Sequence, residues 1–159
     1  MNFLHTMLRI TNIEESLDFY CGGLGLKELN RYENEEGRFT LLFLASEEDI
    51  ERVDIINNEN VITVGLPMIE LTFNWTQEGS DAEILKGGRN FGHLAYQVDN
   101  IYDTCERLLK KGVTINRPPR DGRMAFVKSP DEVSIELLQK GKGLPIKKPW
   151  SKMENSGEW

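Results

Sequence analysis

A chain of 159 residues is long enough to bury one substantial core, or two small modules packed as one unit. An apolar share of 39% and a charged share of 28% are those of an ordinary soluble protein, and no apolar run approaches the roughly 18 residues that a membrane helix needs. A formal net charge of -7 argues against general nucleic-acid binding, which needs clustered Lys and Arg on phosphates, yet it leaves small anionic substrates open, since a few local arginines bind those.

The chain opens Met-Asn-Phe-Leu, without the basic and apolar regions of a secretory leader, so a cytoplasmic protein is expected. Residues 3–11 alternate as a strand. Asn12 is placed to cap a helix over residues 13–20, where Ile13, Leu17 and Tyr20 share a face and Glu14 and Glu15 suit the first turn. Gly22, Gly23 and Gly25 end it. Residues 27–32 and 38–45 read as two strands joined by a polar turn over 33–37. A polar insertion over 46–67 is expected as a surface excursion, within which 61–64 has the composition of a short strand. Residues 68–74 complete a first module, 1–78, and 79–90 connect it to a second.

The second module, 91–140, is tighter. Its first strand is expected over 91–98. Asn100 caps a helix to about Lys111, where Gly112 stops it, and strands follow over 113–116, 124–128 and 133–139. Asp121-Gly122 and Pro130-Asp131 supply turns. The order β-α-β-β-β therefore occurs twice, an α+β fold of two tandem modules. Residues 141–159, rich in Lys, Pro and Gly, are expected as an irregular arm with Trp150 and Trp159 as anchors. Cys21 and Cys105 lie in the helices of different modules, lack metal-type spacing and receive no role.

The chain has two histidines, His5 and His93, and they occupy matching places in the two modules. A shift of 88 residues carries His5 onto His93 and Asn12-Ile13 onto Asn100-Ile101. Each module ends in Ile-Glu-Leu, at residues 69–71 and 135–137. If the first and last strands of each module are neighbours, one His and one Glu per module point into one concavity. His5, Glu70, His93 and Glu136 then form one four-ligand metal site. Imidazole and carboxylate without thiolate suit Ni, Zn, Co, Mn or Fe. An inward carboxylate on a strand is costly unless a cation accompanies it.

Four segments carry a resemblance: HTMLR at 5–9, IELTFNW at 69–75, GRNFGHLAYQVDN at 88–100 and SPDEVSIELLQK at 129–140. Through them the chain resembles the vicinal oxygen chelate superfamily (the glyoxalase/bleomycin-resistance/dioxygenase fold), and within it the glyoxalase I, or lactoylglutathione lyase, family. The resemblance implies metal-dependent isomerisation of the hemithioacetal of methylglyoxal and glutathione to S-lactoylglutathione. It implies His5, Glu70, His93 and Glu136 as ligands of one divalent ion, nickel or zinc with cobalt as a further candidate. Glu136 matches the catalytic base, with Glu70 serving the opposite face or the other enantiomer. Arg9, Asn74, Arg89 and Arg117 match positions that bind the glutathione carboxylates, and Arg9 lies on the strand face of His5. The resemblance also implies a homodimer with shared active sites. Three alternatives remain open at this point. An iron extradiol dioxygenase needs three protein ligands and leaves Glu70 unexplained. An epimerase of the same superfamily expects a different first-module ligand set. A small-molecule binding protein of this fold needs no metal ligands.

Overall fold

The computed structural model describes residues 1–53, 63–76, 83–85, 88 and 90–157. The chain divides into two units, Met1–Leu85 and Lys86–Trp159. In the first, β1 (His5–Ile10) leads into α1 (Ile13–Leu17), which widens into a π-helical turn at Asp18–Gly23. There follow β2 (Leu26–Asn34), β3 (Phe39–Ser46), α2 (Glu47–Arg52) and β4 (Met68–Asn74). In the second, β5 (Leu94–Val98), α3 (Ile101–Lys110), β6 (Ile115–Arg117), β7 (Met124–Lys128) and β8 (Ser134–Gln139) repeat the plan. The sheet orders are β1-β4-β3-β2 and β5-β8-β7-β6. In each sheet the first strand runs parallel to the last, and the other neighbours are antiparallel.

Capping chemistry explains where the helices start. Asn12 Oδ1 accepts the Glu15 N–H at 3.1 Å, and Asn12 Nδ2 donates to Glu15 Oε1 at 3.1 Å. Asn100 Oδ1 accepts from the N–H groups of both Tyr102 and Asp103. The end of α3 is equally local. Gly112 adopts φ +80°, its N–H donates to Leu109 O at 2.9 Å, and the Val113 N–H donates to Leu108 O at 3.1 Å. That is a Schellman ending, which needs the left-handed backbone that glycine adopts without strain.

Alternation then sorts each strand into two faces. In β1, Leu8 and Ile10 are buried while Met7 and Arg9 are exposed. Leu8, Ile10, Phe19, Tyr20, Leu42, Leu44 and Leu71 belong to the buried core of the first unit. In the second, α3 packs on β6, β7 and β8. Its Ile101, Cys105 and Leu108 are fully buried, as are Ala125, Val127, Ile135 and Leu137 of the sheet. The opposite faces carry the polar residues considered below.

Three expectations need correction. The stretch after β3 is not only a surface excursion, because residues 47–52 form α2. Ser46 caps it, accepting from the Asp49 N–H and donating to Asp49 Oδ2 at 2.6 Å. Ile50 and Val53 pack with Leu29 against the buried Ala45, Leu66 and Met68. A helix with one apolar residue in Glu-Glu-Asp-Ile-Glu-Arg shows no amphipathic period, so its tertiary anchor was invisible. The short strand expected over 61–64 falls partly outside the described residues; Thr63 and Val64 are not in a strand. The strand expected from residue 91 begins at Leu94, which leaves His93 immediately before β5.

The segment after β8 is an irregular arm held by Trp150, as expected. Trp150 is 1% exposed and stacks on Tyr102, centroids 6.3 Å apart and planes 20° off parallel. The Tyr102 hydroxyl donates to Pro145 O at 3.0 Å. Asn116 Nδ2 donates to Ser156 O, and the Ser156 N–H returns a bond to Asn116 O. Arg120 donates to Met153 O and Asn155 Oδ1. Trp159, the other expected anchor, lies outside the described residues.

Candidate metal centre

Parallel pairing of β1 with β4 sets Met7 opposite Glu70, so His5 lies two residues back on the same face. From there the His5 imidazole reaches diagonally, and its Nε2 is 3.1 Å from Glu70 Oε2. The second unit repeats the arrangement. Ala95 pairs with Glu136, His93 lies two residues back, and its Nε2 is 3.2 Å from Glu136 Oε2. The side chains are 24% and 13% exposed in the first pair and 42% and 16% in the second.

A third residue recurs that the sequence reading missed. Phe43 on β3 pairs with Glu70, and its ring meets His5 edge to face, centroids 5.6 Å apart at 79°. Phe126 on β7 pairs with Glu136 and meets His93 at 5.4 Å and 83°. Phe43 lies 27 residues before its glutamate and Phe126 lies 10 before its own, so no constant shift along the sequence aligns them. For His5 this ring contact carries particular weight. Its Nδ1 is buried and has no hydrogen-bond partner among the described residues. Metal-binding imidazoles are commonly oriented by a hydrogen bond at the second nitrogen; here packing against Phe43 takes that part.

The donor geometry fits a cation. Adjacent ligands with bonds of about 2.1 Å, at right angles on one ion, stand about 3.0 Å apart. The separations of 3.1 and 3.2 Å match this, as they also match a charge-assisted His–Glu contact. The same nitrogen and the same carboxylate oxygen meet in both units. Each unit supplies two donors, and among the described residues no group of three His, Cys, Asp or Glu side chains gathers.

The other expected site residues stand as follows. Arg9 is exposed on the His5 face of β1 and pairs with Thr72. Asn74 lies on the Glu70 face of β4 and donates to Glu83 Oε2 at 3.3 Å. Arg117 pairs with Phe126, which pairs with Glu136, so the three occupy one row across the second sheet. Its guanidinium donates to Met124 O at 2.5 Å and lies 3.5 Å from Asp121 Oδ2. Partial burial works to raise the Asp121 carboxyl, but the N–H groups of Arg123 and Met124 and the Arg117 cation outweigh it and hold that carboxyl below its usual range. Arg89 lies outside the described residues.

The family description Glyoxalase/Bleomycin resistance protein/Dioxygenase superfamily matches residues 2–137. The chain belongs to this superfamily. Among its relatives are proteins named lactoylglutathione lyase. That of Neisseria meningitidis serogroup A is 38% identical over 148 residues, covering 90% of this chain and 94% of the relative. That of Pseudomonas aeruginosa is 38% identical over 143 residues, covering 86% and 81%. The solved trypanothione-dependent glyoxalase I of Leishmania major aligns with a TM-score of 0.68 at 29% identity, covering 87% of this chain and 86% of that one. Within the superfamily the chain therefore groups with the glyoxalase I enzymes. The two repeats, with first strand beside last, are that superfamily's fold, as the four sequence segments implied.

Proposed function

We propose that the chain is a cytoplasmic lactoylglutathione lyase acting in methylglyoxal detoxification, with His5, Glu70, His93 and Glu136 as its metal ligands. The observation that carries this reading is the repeated His–Glu pair, 3.1 and 3.2 Å, on one diagonal of two equivalent strand pairs. One divalent cation, nickel or zinc with cobalt as a further candidate, supplies positive charge where the substrate develops an oxyanion. Glu136 takes the proton from carbon 1 of the hemithioacetal. The electron pair moves into the carbon 1–carbon 2 bond as the carbon 2 carbonyl becomes an oxyanion. Glu136 returns the proton to carbon 2, and the carbon 1 hydroxyl proton passes to the carbon 2 oxygen. Carbon 1 becomes the thioester carbonyl, so substrate and product are isomers. Glu70 serves the opposite face or the other enantiomer. Arg9, Asn74, Arg89 and Arg117 bind the carboxylates of the glutathione portion.

Glu70 also argues against a three-ligand dioxygenase. It repeats the geometry of Glu136 with its own histidine, and as a fourth ligand it would take a position that oxygen chemistry needs open. The test is direct. Metal-stripped protein, refilled separately with Ni, Co, Zn or Mg, is assayed for thioester formation from methylglyoxal and glutathione. Glu136→Gln is expected to lower turnover by about 100-fold or more while circular dichroism stays unchanged. Wild-type turnover in that variant would refute the assignment of Glu136.

A further inference from the structure

The two half-sites agree in three residues and differ at a fourth. Two positions beyond each glutamate, the strand presents a side chain on the same face. Beyond Glu70 this is Thr72, 8% exposed, whose hydroxyl donates to Glu70 Oε1 at 3.0 Å. Beyond Glu136 it is Leu138, 37% exposed and without a donor. Register makes the positions equivalent. Thr72 pairs with Arg9, four residues after His5, and Leu138 pairs with Gln97, four residues after His93. Both oxygens of Glu70 are thus engaged, Oε2 by His5 and Oε1 by Thr72. Glu136 has His93 on Oε2, and no side-chain hydroxyl reaches it among the described residues.

We infer that Thr72 is a positioning residue that fixes Glu70 as the stationary carboxylate of the metal centre, and that leucine at the equivalent position leaves Glu136 free to turn. The inference rests on the reading of these four residues as ligands. The terminal torsion of a glutamate is broad, so an untied carboxylate swings about its axis at little cost. A hydroxyl from the adjacent same-face position, on a strand paired on both sides, removes that freedom. The carboxylate that takes the carbon 1 proton needs the freedom to turn, whereas Glu70, tied at Oε1, serves from a fixed position. The division of labour between two otherwise matched glutamates then follows from one hydroxyl group.

The experiment titrates metal-stripped, full-length protein with Co2+ against a chelating indicator. Thr72→Val, nearly isosteric but lacking the donor, is expected to weaken binding about 10-fold, the low end for loss of a ligand's hydrogen-bond partner. Thr72→Ser restores the donor and is expected to bind as wild type. Leu138→Thr sits at a half-exposed position and adds the missing hydroxyl. It is expected to lower kcat about 10-fold with KM and Co2+ affinity no worse than wild type, because Glu136 is now tied. Equal Co2+ affinity in wild type and Thr72→Val overturns the tether, and unchanged kcat in Leu138→Thr overturns the freedom assigned to Glu136. Failure of wild type to bind any divalent ion overturns instead the four-ligand reading, so the two failures are distinguishable.

Discussion

His5 is held by groups that come from two other strands, β3 and β4. Glu70 stands at its Nε2, Phe43 meets its ring, and its own backbone is fixed by pairing with Met68. The two His–Glu pairs were legible because the same residue types recur at matching places in the two modules. The phenylalanines were not, since an aromatic residue on a strand has many ordinary uses. Burial also decides the behaviour of the two thiols. Desolvation, with Glu106 adding to it, pushes the Cys105 thiol up to about 12. Cys21 is raised too, by partial burial and by Glu28. At pH 8 iodoacetamide should label Cys21 before Cys105 in the native protein, and both should label readily in denaturant; peptide mass spectrometry reads the order. The linkage sign follows. The unfolded chain gives up the Cys105 proton first, so this group's contribution to stability is full below the ordinary thiol value and declines as pH rises toward about 12.

At the scale of elements, the caps were the most readable feature. Asn12-Ile13 and Asn100-Ile101 each mark a helix start, because a short polar side chain satisfies N–H groups that nothing else reaches. Asn100 takes two of them, so Asn100→Ala is expected to cost about 1 kcal/mol. In a domain of this size that is a fall in Tm of about 2–4 °C, measurable by calorimetry. The last strand of each module was also placed closely, as Met68–Asn74 and Ser134–Gln139. α2 escaped because its start depends on Ser46, a residue equally at home in a turn, and its anchoring on Ile50 and on residues distant in sequence. Trp150 was legible as an anchor of the arm, but the groups the arm packs against were not, because they are distant in sequence. Trp150 finds Tyr102, and Leu144 donates to Gly122 O at 3.0 Å. Gly122 has φ +66°, and a side chain there would collide with Leu144 O.

At the scale of the molecule, each unit offers an ion two protein donors, whereas zinc-type centres take three or four. On the proposal that all four side chains are ligands of one ion, both half-sites serve it. The homodimer with shared active sites that the resemblance implies would join the first unit of one copy to the second unit of another. Dilution through the dimer-to-monomer transition, followed in parallel by light scattering and thioester formation, is expected to reduce specific activity in step with the dimer fraction. Constant specific activity across that transition would exclude sharing between copies. Among the described residues no helix is long and apolar enough to cross a membrane.

The amino-acid order alone determined that two similar modules exist and that each contributes one histidine and one glutamate, because capping, alternation and ligand type are local properties of residues and their spacing. Folding decided what each carboxylate touches. That depends on strand register, which brings Phe43 to Glu70 across 27 residues and Phe126 to Glu136 across 10. It also depends on whether a hydroxyl on that face closes onto the carboxylate, as that of Thr72 does on Glu70, which alternation alone does not decide.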